Sequence, residues 1–562
     1  MEHFIRVNMS DVAVSREEVS EEYLLWGGRG LIAKIMNSEV PPTCDPWGKF
    51  NKLIIATGFF SGTGAITSSR ISVGGKSPLT GGIKEANAGG IAGNKLGRLG
   101  IKAIIVEGQP EEKNLYLLKL NREGGELIEA NYLAGLGNYA VAEKLRKRYG
   151  SEVGIISMGR AGEMRYANST LAVTDVEGRP CRHAARGGLG SVMGSKGIKA
   201  IVIDDTNTSG VLIRDEGVFR EVVREHAKIL REDKGLILLI STYGIAGAVN
   251  LVNAMGGLPT RNFRSGRFEG AEKISGERMA ELRKIRGGKM HACMPTCVVK
   301  CSPVFLNANG EYVTSAFEYE SHAMLGSNLG IDDIDAIAEM DRLCDDYGLD
   351  TIETGGALAV AAEAGLMNFG DGQKAKELIR EMGQGTLLGR VLGQGAVVTA
   401  RVLGVNRVFA VKGQGLPAHD PRVFKSTGVT LASSPMGADH TAGMAFDASI
   451  PKDKVVEISK QNQILIALVD STGCCLISFG IPGTAFSLIQ RMLNARYGLH
   501  LTEEDVLEMG KAVLREEIKF NRAAGITEAH NTLPEFFFSE SLPPTNFIFD
   551  LPEEEVKGIF NF

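Results

Sequence analysis

Three cysteines at one repeated interval, Cys293-x3-Cys297-x3-Cys301, and a distant adjacent pair, Cys474-Cys475, are the residues of this chain best suited to chemistry. Thiolates are soft ligands that suit iron and sulfide, and a four-iron cluster takes four ligands, usually cysteines. Three from one loop and one from a remote segment meet that count. Zinc favours paired C-x2-C spacings, which are absent here. The radical-SAM spacing has a last gap one residue shorter. Either Cys474 or Cys475 can supply the fourth thiolate, while Cys44, Cys181 and Cys344 read as isolated buried thiols. A cluster would make the chain a carrier of electrons.

Two carboxylate–glycine motifs come next: Asp345-Asp346-Tyr347-Gly348-Leu349-Asp350 and Asp470-Ser471-Thr472-Gly473-Cys474-Cys475. Each ends a periodic segment, where glycine suits a left-handed cap, and singly each reads as a helix end with a solvated aspartate. As a pair, two fixed carboxylates can each accept parallel N–H donors from the edge of a pterin ring. Glycine is abundant, 70 of 562 residues, and clusters in SGTGAITSSR, GGIKEANAGGIAGNKLGRLG and ARGGLGSVMGSKG. Such stretches are either tight turns or backbone brought close to a large polar ligand.

These residues need a frame. Short β-branched runs (NKLIIATG, SRISVGG, KAIIVEG, LYLLKL, VGIISM, KAIVID) fill the first ~205 residues and predict strands. After the polar stretch 204–210, helical periodicity dominates, with a second break expected at VKGQGLPAHDPR. The expected class is α+β: a strand-rich domain (1–206) followed by two mainly helical domains (207–415 and 416–562), with the cofactor where all three meet. The formal net charge of −5 gives no reason to expect nucleic acid or an anionic membrane as partner. The longest uncharged run, 235–260, is too polar and glycine-broken to predict a membrane span. With few cysteines and no apolar leader at its start, the chain is expected in the cytoplasm.

With these motifs in view, the chain resembles the aldehyde:ferredoxin oxidoreductase family of tungsten enzymes over essentially its full length. The stretches that carry the resemblance are GGRGLIAKIM, SSRISVGGKSPLTGGIKEANAGG, RHAARGGLGSVMGSKGIKA, LPTRNF, FEYES, GLDTIETG, PMGADH and DSTGCC. The resemblance implies one tungsten (or molybdenum) between two pyranopterins, a 4Fe-4S cluster and a magnesium ion between the pterin phosphates. Arg70, Asn87, Gly89 and Arg182 then belong to the phosphate region, with the carbonyls of Asn87 and Ala184 on magnesium. Asp345, Leu349, Asp350 and Thr351 match one pterin-binding segment, and Asp470 and Cys474 match the other. Cys475 falls at the fourth cluster-ligand position, beside Cys293, Cys297 and Cys301.

Glu320, preceded by Tyr319, and His440 match a proton-handling pair near the metal, and burial is expected to raise the Glu320 pKa toward neutrality. His291 and His322 are reserve candidates. The implied activity is oxidation of an aldehyde to its acid, with electrons leaving for ferredoxin or an iron–sulfur partner subunit. The alternatives are low-potential reduction of aromatic thioesters or acids, and a non-catalytic electron-transfer subunit. Two departures matter. The Cys293–Cys297 gap is one residue longer than in the family's best-known members and resembles members that act as large subunits. Glu339-Met340-Asp341-Arg342 lacks the histidine of an E-x-x-H interface motif, so an oligomer or hetro-oligomer without bridging iron is expected.

Overall fold

The computed structural model describes residues 2–481 and 483–561 and is strand-rich first and mainly helical afterwards. All six runs read as strands form strands. The first sheet contains β1 (His3–Asn8), β2 (Ala13–Glu18), β3 (Leu53–Thr57), β4 (Ile71–Lys76), β5 (Ile83–Ala88) and β6 (Ile101–Glu107), in the order β2-β1-β6-β3-β4-β5. The second contains β7 (Tyr116–Asn121), β8 (Gly124–Glu129), β9 (Gly154–Met158), β10 (Leu171–Val173), β11 (Arg182–Ala184) and β12 (Ile198–Ile203), in the order β11-β10-β9-β12-β7-β8.

The two orders are one topology used twice, since adding six to each label of the first gives the second read backwards. The parallel pairs also correspond, β1 with β6 and β7 with β12. Each half carries a 12-residue helix between its second and third strands, Gly28–Glu39 and Asn138–Tyr149. Successive strand residues point to opposite faces. Leu53 and Ile55 therefore join Ile156 and Ile201 in a core between the sheets. Ile54 and Ala56 turn outward onto Leu31, Ile32 and Ile35 of the first helix. Ile155, Ala200 and Val202 do the same against Val141 and Leu145 of the second. Two short helices, Ala92–Arg98 and Leu189–Ser195, add Leu96, Val192 and Met193 to the core between the sheets, so the layers run helix, sheet, helix pair, sheet, helix.

The helical part ends two of its helices on this stack. Ile334–Tyr347 is capped by Gly348 (φ 74°) and Val455–Thr472 by Gly473 (φ 77°), both left-handed, as the two motifs require. The Arg70 N–H, just before β4, donates to the Gly473 carbonyl at 3.0 Å. The Thr170 N–H, just before β10, donates to the Gly348 carbonyl at 2.9 Å. Gly58, after β3, and Gly159, after β9, make these approaches possible. A Cβ on Gly58 would lie 1.9 Å from the Gly473 nitrogen, and one on Gly159 would lie 2.2 Å from the Tyr347 carbonyl oxygen.

The uncharged run 235–260 forms two short helices, Leu236–Tyr243 and Ala248–Met255, and the path turns by 110° between them. Among the described residues no single helix is long and apolar enough to cross a membrane.

Because both contacts are backbone against backbone, neither site can absorb a methyl group. Gly58→Ala and Gly159→Ala should each destabilise the fold by about 3 kcal/mol or more, read as a lowered thermal midpoint.

Candidate active site

Asp345, Asp350 and Asp470 are buried, which overturns the reading of these motifs as solvated helix ends. Asp470 Oδ2 lies 3.3 Å from Arg29 Nη1, and the rest of that buried guanidinium is bonded to Glu517 at 2.7 and 2.9 Å. Burial raises the Asp470 pKa, opposed by Arg29 and Arg70. At the equivalent corner, Asp345 faces His183 Nε2 at 3.1 Å and accepts from the Tyr139 hydroxyl at 3.4 Å. Asp350 caps the next helix, Thr351–Glu363, by accepting from the Ile352 N–H at 2.9 Å. Its other oxygen lies 3.0 Å from Arg186 Nε. Leu349 is buried and bridged to Ser169, and Thr351 opens the helix beside Ser321.

The expected phosphate residues gather where edge strands β5 and β11 pack together. Arg70 bonds the Asn87 side chain and, through Nη2, the Asn87 carbonyl at 3.0 Å. That carbonyl, expected to face magnesium, therefore meets a guanidinium here. Gly89 abuts the cysteine loop, since a Cβ there would lie 3.4 Å from Cys293 Sγ. Arg182 pairs with Glu318 at 3.0 Å and bonds Ser302, and its charge acts on Cys293 and Cys301. Ala184 is buried in β11, paired with Leu171.

The cysteine triad forms the loop of a hairpin closed by the pair His291–Ser302. His291 clamps this loop, with Nδ1 on the Ser302 carbonyl at 3.0 Å and Nε2 on Asp175 at 2.9 Å. Both of its ring nitrogens are taken up by that clamp. Cys293, Cys297, Cys301 and Cys475 come close enough to act electrostatically on one another. Burial raises the Cys293 thiol to about 11, so a nearby cation is needed to draw it to thiolate. Arg70 Nη1 lies 4.0 Å from Cys475 Sγ. Cys474 turns instead into an apolar core with Phe59 and Phe479, its thiol raised by burial to about 12.

Glu320 and His440, 120 positions apart, meet: His440 Nε2 lies 3.3 Å from Glu320 Oε1. The structure adds a third group. His419 Nε2 is 3.1 Å from the same oxygen, and the Ala418 N–H donates to Oε2 at 2.8 Å. The sequence reading used LPAHDPR only as a boundary and so missed His419, together with Arg29, His183 and Arg186. A histidine in the short segment between two prolines, Pro417 and Pro421, was the available signal. Tyr319 stacks on His419 (centroids 5.1 Å, 14°) and donates its hydroxyl to the Ala418 carbonyl at 2.6 Å. His322 is buried elsewhere, bonded to the Ile274 carbonyl at 2.6 Å and set against Phe317.

The expectation for the Glu320 pKa fails in sign. Burial does raise it, but His440, His419 and the Ala418 N–H outweigh burial and hold the carboxyl at about 2. His440 is pulled below its ordinary value by burial, against the upward pull of Glu320. A cluster of buried polar atoms without aligned hydrogen bonds surrounds this centre: Arg186 Nε and Nη1, Asp350 Oδ2, Glu320 Oε1, and Nδ1 of His419 and His440. Buried polar groups normally find partners. These, with the two aspartate corners, fit a large polar cofactor, and the four thiols fit an iron–sulfur cluster.

Known proteins resemble this chain over nearly all of its length. Residues 4–205 match the aldehyde ferredoxin oxidoreductase N-terminal domain, and residues 221–553 match domains 2 and 3 of the same family. The chain is 36% identical to the tungsten-containing aldehyde ferredoxin oxidoreductase of Pyrococcus furiosus, covering 96% of this chain and 92% of that protein. It is 26% identical to the WOR-like subunit of an aliphatic sulfonate oxidoreductase from the same organism, covering 88% and 84%. The active-site complex BamBC of benzoyl coenzyme A reductase shares the fold, with TM-score 0.84 and 18% identity over 99% of this chain and 92% of that one.

The two adjacent cysteines should separate cleanly on substitution. Cys475→Ser should lose most of the roughly four irons of a cubane, measured by iron analysis and electron paramagnetic resonance of the reduced protein. Cys474→Ser should keep its iron.

Proposed function

Because the chain belongs to the aldehyde ferredoxin oxidoreductase family, we propose that it oxidises an aldehyde and water to a carboxylic acid, two protons and two electrons. The observation that carries this reading is the meeting of Glu320, His419 and His440 beside two buried aspartate corners and four thiols. A tungsten bis-pyranopterin bound between those corners would supply the two-electron redox chemistry, and a 4Fe-4S cluster on Cys293, Cys297, Cys301 and Cys475 would pass electrons singly to an iron–sulfur partner. Asp345, Asp350 and Thr351 would hold one pterin, and Asp470 with the Cys474 backbone the other. Arg70, Asn87, Gly89, Arg182 and Ala184 would serve the phosphates and magnesium.

The proton chemistry follows from this chain's own groups. A carboxyl held at about 2 is a weak base, so Glu320 is the fixed anion of the site. With Nε2 3.3 Å from that anion, His440 offers Nδ1, which has no hydrogen-bond partner. A proton taken there from the incoming water makes an imidazolium paired with the Glu320 carboxylate. Burial keeps His440 neutral below its ordinary range and so ready to accept. Tyr319 positions this apparatus by packing His419 and fixing the Ala418 backbone that bonds Glu320.

Aldehyde-dependent reduction of a viologen dye by tungsten-loaded protein tests the reading. No turnover with any of a panel of aldehydes would reject it. His440→Ala should lower kcat by about 10²–10⁴-fold. The acid limb of the kcat/KM profile should lie below pH ~6.5, falling as His440 protonates. In Glu320→Gln that limb should move to still lower pH, because the anion that favours the imidazolium is gone.

A further inference from the structure

We propose that the outer face of the helix Leu236–Tyr243, with the basic stripe of the helix Glu216–Glu232 beside it, is the docking face for a small acidic iron–sulfur protein. This deepens the reading above and rests on it. The inner face of Leu236–Tyr243 packs onto both cysteine-bearing segments. Ile237 and Ile240 share a core with Val299, and Cys297, Cys301, Ile477 and Ile481 are set against it. A Cβ on Gly480 would lie 3.6 Å from Leu236 Cδ2, and one on Gly244, the helix cap, would lie 3.4 Å from the Cys301 carbonyl oxygen. This helix is therefore a thin cover over the thiol site.

Its exposed flanks are apolar, with Leu238 51% exposed on the side away from the thiols and Leu236 49% exposed at the edge that meets Gly480. Charge says what fits there. At 3.6 residues per turn, Arg220, Arg224, Lys228 and Arg231 fall within about 80° of one another. They border the side on which Ala227 and Leu230 join the core beside the thiols. Glu221, Glu225 and Glu232 fall in the adjoining arc, toward the side packed on the helix Ala485–Tyr497, where Glu225 pairs with Arg491 at 2.7 Å. Lys300, within the cysteine loop, is exposed as well. Arg220 is answered by Glu216 at 2.6 Å and Lys228 by Glu232 at 4.0 Å, but Arg224, Arg231 and Lys300 have no ion pair among the described residues. An apolar centre flanked by such cations suits an oppositely charged partner, through steering and a dry contact. Electron-transfer encounters need little area, often below about 1,200 Å². Each encounter would oxidise this protein's cluster and reduce the partner's by one electron, so two encounters remove the pair released per aldehyde.

The test uses holoprotein, an acidic bacterial ferredoxin and benzyl viologen. Leu236→Glu/Leu238→Glu and, separately, Arg224→Glu/Lys228→Glu should each lower ferredoxin-dependent turnover at least tenfold, mainly through KM. Viologen turnover and the thermal midpoint should stay unchanged. Ferredoxin binding, measured by surface plasmon resonance without substrate, should weaken in both variants and, for wild type, with added salt. Unchanged binding and ferredoxin turnover in both variants would overturn the assignment. So would loss of self-association or of anionic-vesicle binding in the variants while ferredoxin binding persists. Failure of wild type to turn over aldehydes with viologen would sink the catalytic reading alone, because the binding measurement judges this face separately.

Discussion

The structure depends on keeping carboxylates buried at the ends of two helices. Asp470 and Asp345 are each lodged where a helix stops against a sheet, and an unpaired buried charge is costly. Arg29 and His183 supply the compensating groups, Arg29 itself tied down by Glu517. The glycine caps fix where the helices stop, and Gly58 and Gly159 let them stop close enough for the Arg70 and Thr170 N–H groups to lock them. Propensity, packing and charge agree at both corners.

The same logic separates the reacting centre from the corners. Glu320 is compensated by imidazoles rather than by a guanidinium, so His440 can take up a proton that an arginine could not. Arginine at positions 419 or 440 would hold the carboxylate equally well and leave nothing to accept a proton. The division of labour between corner and centre lies in the type of counter-cation.

Much of this was legible from residues alone, and the reasons differ. The six β-branched runs became strands because alternation records two buried faces. The cysteine spacing fixed one loop because a short hairpin leaves little freedom. Strand β5 was hidden because IKEANA is polar, and its polar groups are buried with partners: Lys84 pairs with Asp439, and Asn87 accepts from Arg70. The twofold repeat was invisible because topology is shared without shared wording; GGRGLIAKIMNSE and NYAVAEKLRKRY do the same job with different residues. The Glu320 error lies in weighing burial alone: His440 acts on the carboxyl most, His419 and the Ala418 N–H add to it, and only the folded chain brings all three to the same carboxylate.

The duplicated sheet has a consequence for engineering. Each half has a helix on one face, and its other face closes on two short helices and the twin sheet, with Ile55, Val73, Ile156 and Ile201 shared along the seam. Separated, either half would present that seam to water. Truncation between the halves therefore removes a common interior, and the first 205 residues stand or fall as one unit.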